Sequence, residues 1–419
     1  MSTPSLQSTH TRSRTGMVRV SLGLLTGTAG YILPFSAAST VLLPARIAEI
    51  DPDNKVRLLA ILIGAAAVVA LVSNVLFGAL SDLTRSRLGA RTPWILAGSV
   101  GTALLMIPVS HAESFGPLLI WWCLAVIPLN ATVASVNAIL PDRVPLERRA
   151  TVSAVIGVAI LLGTANGAIV GAVFLDNTQL GLQIVGALFV ALAVLAVVLA
   201  PDYSNTGSPE NRSGNGLDLR GLTASFRFPR RVPDFYFALW GRLLLVLGYF
   251  MVNGFQLYIF TDYIGLDEDA TARAIGLNSI IFLVTALLGA AVAGPLSDRL
   301  KRRKIFVIGA SVLAVIAIAV PFAVPQTIGM VGFALVGGVA FGVYYAVDAA
   351  LMSEVLPNQD SRARDLGILN TATTGGQVLA PAASAVLVGI GIGFAPVFVG
   401  AMVACALGAV LVRPIKSVK

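Results

Sequence analysis

Residues 78–94, GALSDLTRSRLGARTPW, return in degenerate form at 294–304 as GPLSDRLKRRK, which places Asp298 216 positions after Asp82. An unrelated stretch keeps the same spacing. Leu140-Pro141 with Arg148 is matched by Leu356-Pro357 with Arg364, again 216 positions on. Two loops repeating at one offset constrain the chain to an internal duplication, each copy about half its length. Each acidic–basic loop follows one long apolar run and precedes another, the layout of two helical bundles related by a parallel repeat in a membrane.

Hydrophobic residues make up 56% of the chain and charged residues only 12%, with a mean hydropathy of +0.85. Soluble domains carry about 25% charged residues, so this chain lacks the polar surface to cover itself in water. Apolar runs of about 20 residues, enough to span a bilayer core, fall at 18–43, 56–80, 92–110, 116–140, 150–174 and 180–200. A second set falls at 235–261, 271–296, 304–323, 327–356, 365–390 and 392–412. They predict an all-α membrane protein of about twelve transmembrane helices in two pseudo-symmetric six-helix bundles, residues 1–200 and 235–419. Between them, 201–234 is rich in Gly, Ser, Asn, Pro and Arg and reads as a linker. Its FRFPRR end is either a short amphipathic surface segment or disordered. Arg12, Arg14 and Arg19 mimic the start of a signal peptide, but the apolar run behind them is too long to be a cleaved one.

Of the 29 Lys and Arg residues, 24 fall in the N-terminal arm, the linker, the C-terminal tail and the loops 81–91, 141–149, 297–304 and 358–364. Only Arg46, Lys55, Arg57 and Arg273 fall on the other side, and Arg242 lies within a span. The positive-inside rule then places both termini, the linker and both duplicated loops in the cytoplasm, with the bundles in the cell membrane. The net charge of +8 therefore reflects topology, and no nucleic-acid partner is expected. His10 and His111 are the only histidines, and no His, Cys or carboxylate cluster has metal-ligand spacing. Cys123 and Cys405 sit inside apolar runs, so no disulfide framework is expected. With no nucleophile–base pair either, the reading is not an enzyme, with no metal and no cofactor.

The two acidic–basic loops resemble the motif between helices 2–3 and 8–9 of the major facilitator superfamily, and bundle number and linker position extend the resemblance over nearly the whole chain. The resemblance implies a membrane transporter, working as a monomer on a small-molecule substrate. It also implies a cytoplasmic latch that holds the bundles together when the carrier faces outward. The residues it would use are Gly78, Asp82, Arg85, Arg87, Arg91 and Arg148, with Gly294, Asp298, Arg299, Arg302 and Arg364 in the second copy. Gly78 and Gly294 would admit close helix approach, and the aspartates would accept charge-assisted hydrogen bonds. The alternative is a solvated turn that only sets topology.

More narrowly, Asp82, Arg85, Arg87, Gly89, Arg91, Pro93 and Trp94 resemble the same loop of the glycoside–pentoside–hexuronide cation symporters and their sucrose-transporter-like relatives. The sodium-coupled members of that branch carry acidic residues in helices 1, 2 and 4. This chain has Asn74 in the second run and Asn130 and Asn137 in the fourth, with no acid in any of the three. Drug/proton antiporters of the superfamily carry a Gly- and Pro-rich motif in helix 5. Here Gly157, Gly163, Gly167 and Gly171 form a stripe without the proline, which reads as helix packing.

A lone charge at the centre of a spanning helix costs about 2.5–3.5 kcal/mol on insertion scales. Arg242 and Asp348 stand out for that reason, roughly 10 and 12 Å inside the seventh and tenth runs at about 1.5 Å per residue. A salt bridge would satisfy both. It is either a pair that carries the coupling proton or a permanent buried ion pair, with snorkelling as a further option for Arg242. Tyr31, Asn130, Asn137, Asn253, Gln256, Tyr344 and Tyr345 supply amides and phenols in runs 1, 4, 7 and 10, which the superfamily resemblance implies line the central cavity, and Asn370 and Gln377 add to them from run 11. With Tyr258, Trp121 and Trp122 they suit a neutral polyhydroxylated solute; interhelical hydrogen bonds and an interfacial aromatic belt are the structural alternatives. The reading that follows is proton-coupled transport of a small polar solute, a sugar or glycoside before others. An exporter of drugs or hydrophobic metabolites is the alternative in transport, and a non-transporting receptor or scaffold the alternative outside it.

Overall fold

The computed structural model describes residues 6–204, 206, 232–355, 362–389 and 393–415, so most of the linker, including FRFPRR, lies outside the described residues. Among those described, every regular element is a helix. Long apolar runs take this form because a backbone in hydrocarbon must satisfy its own hydrogen bonds. In order they are α1 (Leu6–Ala37), α2 (Leu43–Ile50), α3 (Lys55–Leu83), α4 (Thr92–Ser110), α5 (Phe115–Arg143), α6 (Leu146–Val173) and α7 (Thr178–Leu199). The second half holds α8 (Pro233–Asn253), α9 (Gln256–Tyr258), α10 (Glu268–Leu300), α11 (Arg303–Ala323), α12 (Thr327–Glu354), α13 (Arg362–Val388) and α14 (Ala395–Val412). A π-helical turn, Ala38–Leu42, joins α1 to α2, and another, Ile259–Tyr263, follows α9.

The protein is a multi-pass membrane protein. Eleven stretches among the described residues are long and apolar enough to cross a bilayer. Helix α13 has the length, 27 residues, but carries Asn370, Thr371, Thr373, Thr374 and Gln377. The duplication reappears in the helix boundaries. Helices α1 and α8 end at Ala37 and Asn253, 216 positions apart.

The described residues group into two compact units. One holds α1, α2, α3 from Ala65 onward and α4–α7; the other holds residues 51–64 and everything from α8 on. In the first, α1 packs on α6 and α7, and α4 on α5 and α7. The stripe on α6 is a packing face. A Cβ at Gly167 would lie 2.4 Å from the Leu33 carbonyl and one at Gly171 2.9 Å from that of Ala37, so α6 lies directly on α1. In the second unit, α8 packs on α13 and α14, α11 on α12 and α14, and α10 on α12. An aromatic cluster of Tyr249, Phe333 and Phe341 fills its core, with centroids 5.7 and 3.8 Å from Tyr249.

Gly78 and Gly294 correct an expectation from the sequence. A Cβ at either would meet no atom within 4 Å, so neither is a point of close helix approach.

Candidate functional site

Arg242 and Asp348 meet in the second unit. Arg242 sits in the middle of α8 and Asp348 in the C-terminal part of α12; Asp348 is buried and the Arg242 side chain is 12% exposed. Arg242 Nη1 lies 3.3 Å from Asp348 Oδ2. A third residue, which the sequence did not single out, completes the contact: Arg242 Nε donates to Thr373 Oγ1 of α13 at 2.7 Å. The pairing does not satisfy every atom. Asp348 Oδ1 and the Tyr344 hydroxyl are both buried and neither makes a well-formed hydrogen bond, although the two groups interact with each other. They lie one helical turn apart and share a face of α12. A buried carboxylate with one oxygen short of a well-formed hydrogen bond has room for one more proton donor, whether a proton on the carboxylate or a hydroxyl of a bound solute.

The other candidate binding residues divide between the units. In the first, the Tyr31 hydroxyl donates to Asn137 Oδ1 at 3.4 Å, joining α1 to α5. Asn130 is buried, accepts from Asn74 Nδ2 of α3 at 3.4 Å and donates to the Val126 carbonyl at 2.8 Å. These amides make the interhelical bonds that the structural alternative describes. Asn137 is nonetheless exposed. Trp122 is buried and stacks on Phe35 with centroids 6.2 Å apart, which places it in the bundle and not in an interfacial belt. In the second unit Tyr344 is buried and Tyr345 beside it is 42% exposed, so only the latter presents its ring at an open surface. Asn253, Gln256 and Gln377 are half-buried, and the side chain of Asn370 lies outside the described residues.

The duplicated loop of the first unit is built around Arg91, which caps the start of α4. Its Nη2 pairs with Asp82 at the end of α3 and, at 2.8 Å, with Asp142 at the end of α5. Its Nε donates to the same Asp142 oxygen at 2.9 Å and its Nη1 to the Ser81 hydroxyl. Its backbone N–H donates to Asp202, just beyond α7, at 3.1 Å. Gly89 makes this possible. It has φ +87°, and the Asp202 carboxylate occupies the space a Cβ would need. Burial works against the charge on Arg91, but hydrogen bonds and attraction from Asp142 and Asp82 outweigh it and hold the guanidinium more firmly protonated. One arginine therefore ties together the ends of four helices. The sequence pointed to Arg91 and Asp82 and missed Ser81, Asp142 and Asp202. Asp142 had a signal, since it stands inside the duplicated Leu140-Pro141 loop.

The remaining loop residues are less engaged. Arg85, Arg87, Arg148, Arg299 and Arg302 are exposed, and Arg85 Nη1 donates to the Asp82 and Thr84 carbonyls at 3.4 and 3.3 Å. The side chains of Asp298 and Arg364 lie outside the described residues. No group of three or more His, Cys, Asp or Glu that would hold a metal is present among the described residues.

Against known proteins, the chain matches the family model described as Major Facilitator Superfamily over residues 23–268 and 254–418. It is 24% identical over 204 residues to a protein named MFS transporter asaE from Aspergillus flavus, covering 48% of this chain and 42% of that one. The chain thus spans less than half of that relative's length. Among solved structures it resembles a nucleoside transporter, NupG, with a TM-score of 0.68 at 16% identity over 94% of this chain and 98% of that one. It also resembles a D-xylose–proton symporter, with a TM-score of 0.67 at 15% identity over 96% and 98%. A bacterial homologue of the human lysosomal transporter Spinster, inward-facing and unoccupied, gives 0.65 at 14% identity over 94% of both chains. At these identities the likeness shows the fold.

Proposed function

The chain belongs to the major facilitator superfamily, and from that premise we propose that it is a proton-coupled secondary transporter of a small polar solute, a sugar or glycoside before others. The observation that carries this reading is the buried Asp348 paired with a half-buried Arg242, with one carboxylate oxygen lacking a well-formed hydrogen bond. Intramembrane acids are retained where they do work, because burying one without work only costs stability. Proton uptake on Asp348 cancels its charge and loosens its hold on Arg242. Proton release restores that hold. A cycle of this kind lets a proton gradient bias which side of the membrane the carrier opens to, as the bundles alternate around a midplane site.

Each unit on its own carries polar groups suited to a hydroxyl-rich solute: Asn137 in the first, and Asn253, Gln256, Tyr345 and Gln377 in the second, are at least partly open and offer both donors and acceptors. The names of two structural neighbours, a nucleoside transporter and a xylose–proton symporter, agree with that chemistry. The basic-residue count favours termini and duplicated loops on the cytoplasmic side of the cell membrane. On that side the Arg91 cluster would brace the helix ends on which the Asp82 latch acts.

Reconstituted vesicles with an imposed pH gradient, screened with labelled pentoses, hexoses, glycosides and nucleosides, test this directly. Impermeant labelling of a cysteine placed at Ser213 fixes the orientation in the same preparation. The expected result is accumulation of a polar solute that collapses with the gradient. Asp348→Asn should abolish accumulation and keep exchange of that solute down its own gradient. Normal accumulation with Asn at 348 would reject proton coupling through this residue. Movement of cationic dyes alone would favour an exporter.

A further inference from the structure

We infer that Thr373 is the fixed anchor of Arg242, the group that holds the guanidinium inside the second unit while Asp348 is neutral; this rests on the reading that Asp348 carries the coupling proton. The geometry separates the two partners. Charge-assisted N–H···O bonds run at about 2.7–2.9 Å. The bond to the uncharged threonine is within that range at 2.7 Å, whereas the contact to the carboxylate is stretched to 3.3 Å. Arg242 is therefore seated on α13 and only leans on α12.

Local sequence explains why the seat is there. Thr373 opens the run Thr373-Thr374-Gly375-Gly376. A Cβ at Gly376 would stand 2.8 Å from the Leu243 carbonyl and 2.9 Å from the Leu247 amide nitrogen. Backbone thus lies against backbone beside Arg242, and that approach delivers the Thr373 hydroxyl to Nε. Threonines at Thr164 and Thr102 donate their hydroxyls back to their own helix, at 2.8 Å to the Ile160 and Gly98 carbonyls. Thr373 instead serves a neighbour.

The consequence concerns the neutral state of Asp348. Among the described side chains, the titratable groups that act on this carboxylate are Arg242 from α8 and Tyr344 and Tyr345 on its own helix, while the neutral Thr373 of α13 reaches Arg242. Once Asp348 is protonated, a guanidinium without Thr373 would be a desolvated cation with no anchor. Its long stem would let it swing toward water. With Thr373 it stays, and Nη1 is released to donate to whatever acceptor enters beside Asp348. A hydroxyl oxygen of a polar solute fits that donor, so protonation would open the solute's own contact.

Thermal unfolding of purified wild type, Thr373→Val, Asp348→Asn and the double variant tests this without solute or gradient. Valine keeps the shape and removes the acceptor; asparagine copies the neutral acid. The expected result is a small loss for Thr373→Val alone and a loss in the double variant larger than the two single losses combined. Thr373→Ser should restore the melting temperature in both backgrounds. Additive losses, or a serine that behaves like valine, would overturn the proposal and leave Thr373 as a packing residue. Should the double variant fail to fold, adding Arg242→Gln decides the matter. Recovery supports a stranded cation, and no recovery rejects it. The coupling reading is judged separately, by accumulation in Asp348→Asn, so either can fail alone.

Discussion

Helices α3 and α10 occupy the same place in the two repeats and are held in opposite ways. Helix α10 lies backbone to backbone on α12. A Cβ at Gly342 would stand 2.1 Å from the Ala286 carbonyl, and one at Gly289 2.8 Å from that of Val339. At Gly338 it would meet the Thr285 hydroxyl at 2.0 Å. The positions 216 residues earlier are Val126, Ser73 and Trp122, all too large for such contact. Among the described residues, helix α3 accordingly packs closely on no neighbouring helix. It is pinned by side chains: Asn74 to Asn130 at 3.4 Å, Thr84 Oγ1, just past its end, to Trp94 Nε1 at 2.7 Å, and Asp82 and Ser81 to Arg91. At its N-terminal end Lys55 pairs with Asp262 at 2.8 Å. Duplication kept the path of the helix and not its packing, and polar pins took over where glycines were absent.

The charged residues divide along the same line. In the first unit the buried arginine sits at the rim, with two carboxylates on its guanidinium and a third on its amide. In the second it sits inside the bundle with one carboxylate and one hydroxyl. An over-neutralised cation is a fastening, whereas a barely neutralised one changes partners at small cost. That difference sets the largest expected effect. Arg242→Ala leaves Asp348 buried without its cation, a loss of about 3–5 kcal/mol when a buried pair is broken. Combining it with Asp348→Asn should recover most of the folded yield and melting temperature, as read by size exclusion and thermal unfolding. A double variant no better than Arg242→Ala would mean that the two charges are not each other's main partner.

A smaller effect separates the two helix seams. Gly342→Leu forces a side chain into the Ala286 carbonyl and should cost about 1–3 kcal/mol or more, the range for overpacking a tight contact. Val126→Leu, at the matching position beside the loosely held α3, should cost distinctly less. Melting temperatures of the two purified variants check this, and equal losses would break the contrast between α10 and α3.

The duplication was legible because it is written in polar loop residues, which an apolar chain cannot hide. The offset of 216 found in Asp82/Asp298 reappears in the ends of α1 and α8. Arg242 and Asp348 were legible for a related reason, since charge inside an apolar run is rare and demands a partner. What stayed hidden was convergence in space. Asp202 follows the last helix of its bundle and gives no local hint that it caps Arg91. Thr373 looks like any helical threonine, whose usual fate is a bond to its own backbone. The close approach at Gly78 was misread because a glycine in a loop motif and a glycine in a helix seam look alike without the neighbour.

The smallest effect on stability belongs to Asp82, and it is the most telling for the first unit. Its side chain is 64% exposed, and Arg91 keeps Asp142 and Ser81 without it. An exposed ion pair is worth about 0.2–1 kcal/mol, so Asp82→Asn should leave the melting temperature nearly unchanged. Helix α3, however, would lose one of its few pins. If that pin helps hold the carrier closed on the duplicated-loop side, its loss should raise labelling of a cysteine placed at Asn137, an exposed position on α5. The matching change at Asp298 should have less effect on labelling, because α10 is already held by its glycine seam. Unchanged labelling with normal transport would reduce the Asp82 loop to a fastening and a topology signal. Equal responses to the two substitutions would show that packing of α3 and α10 does not govern opening.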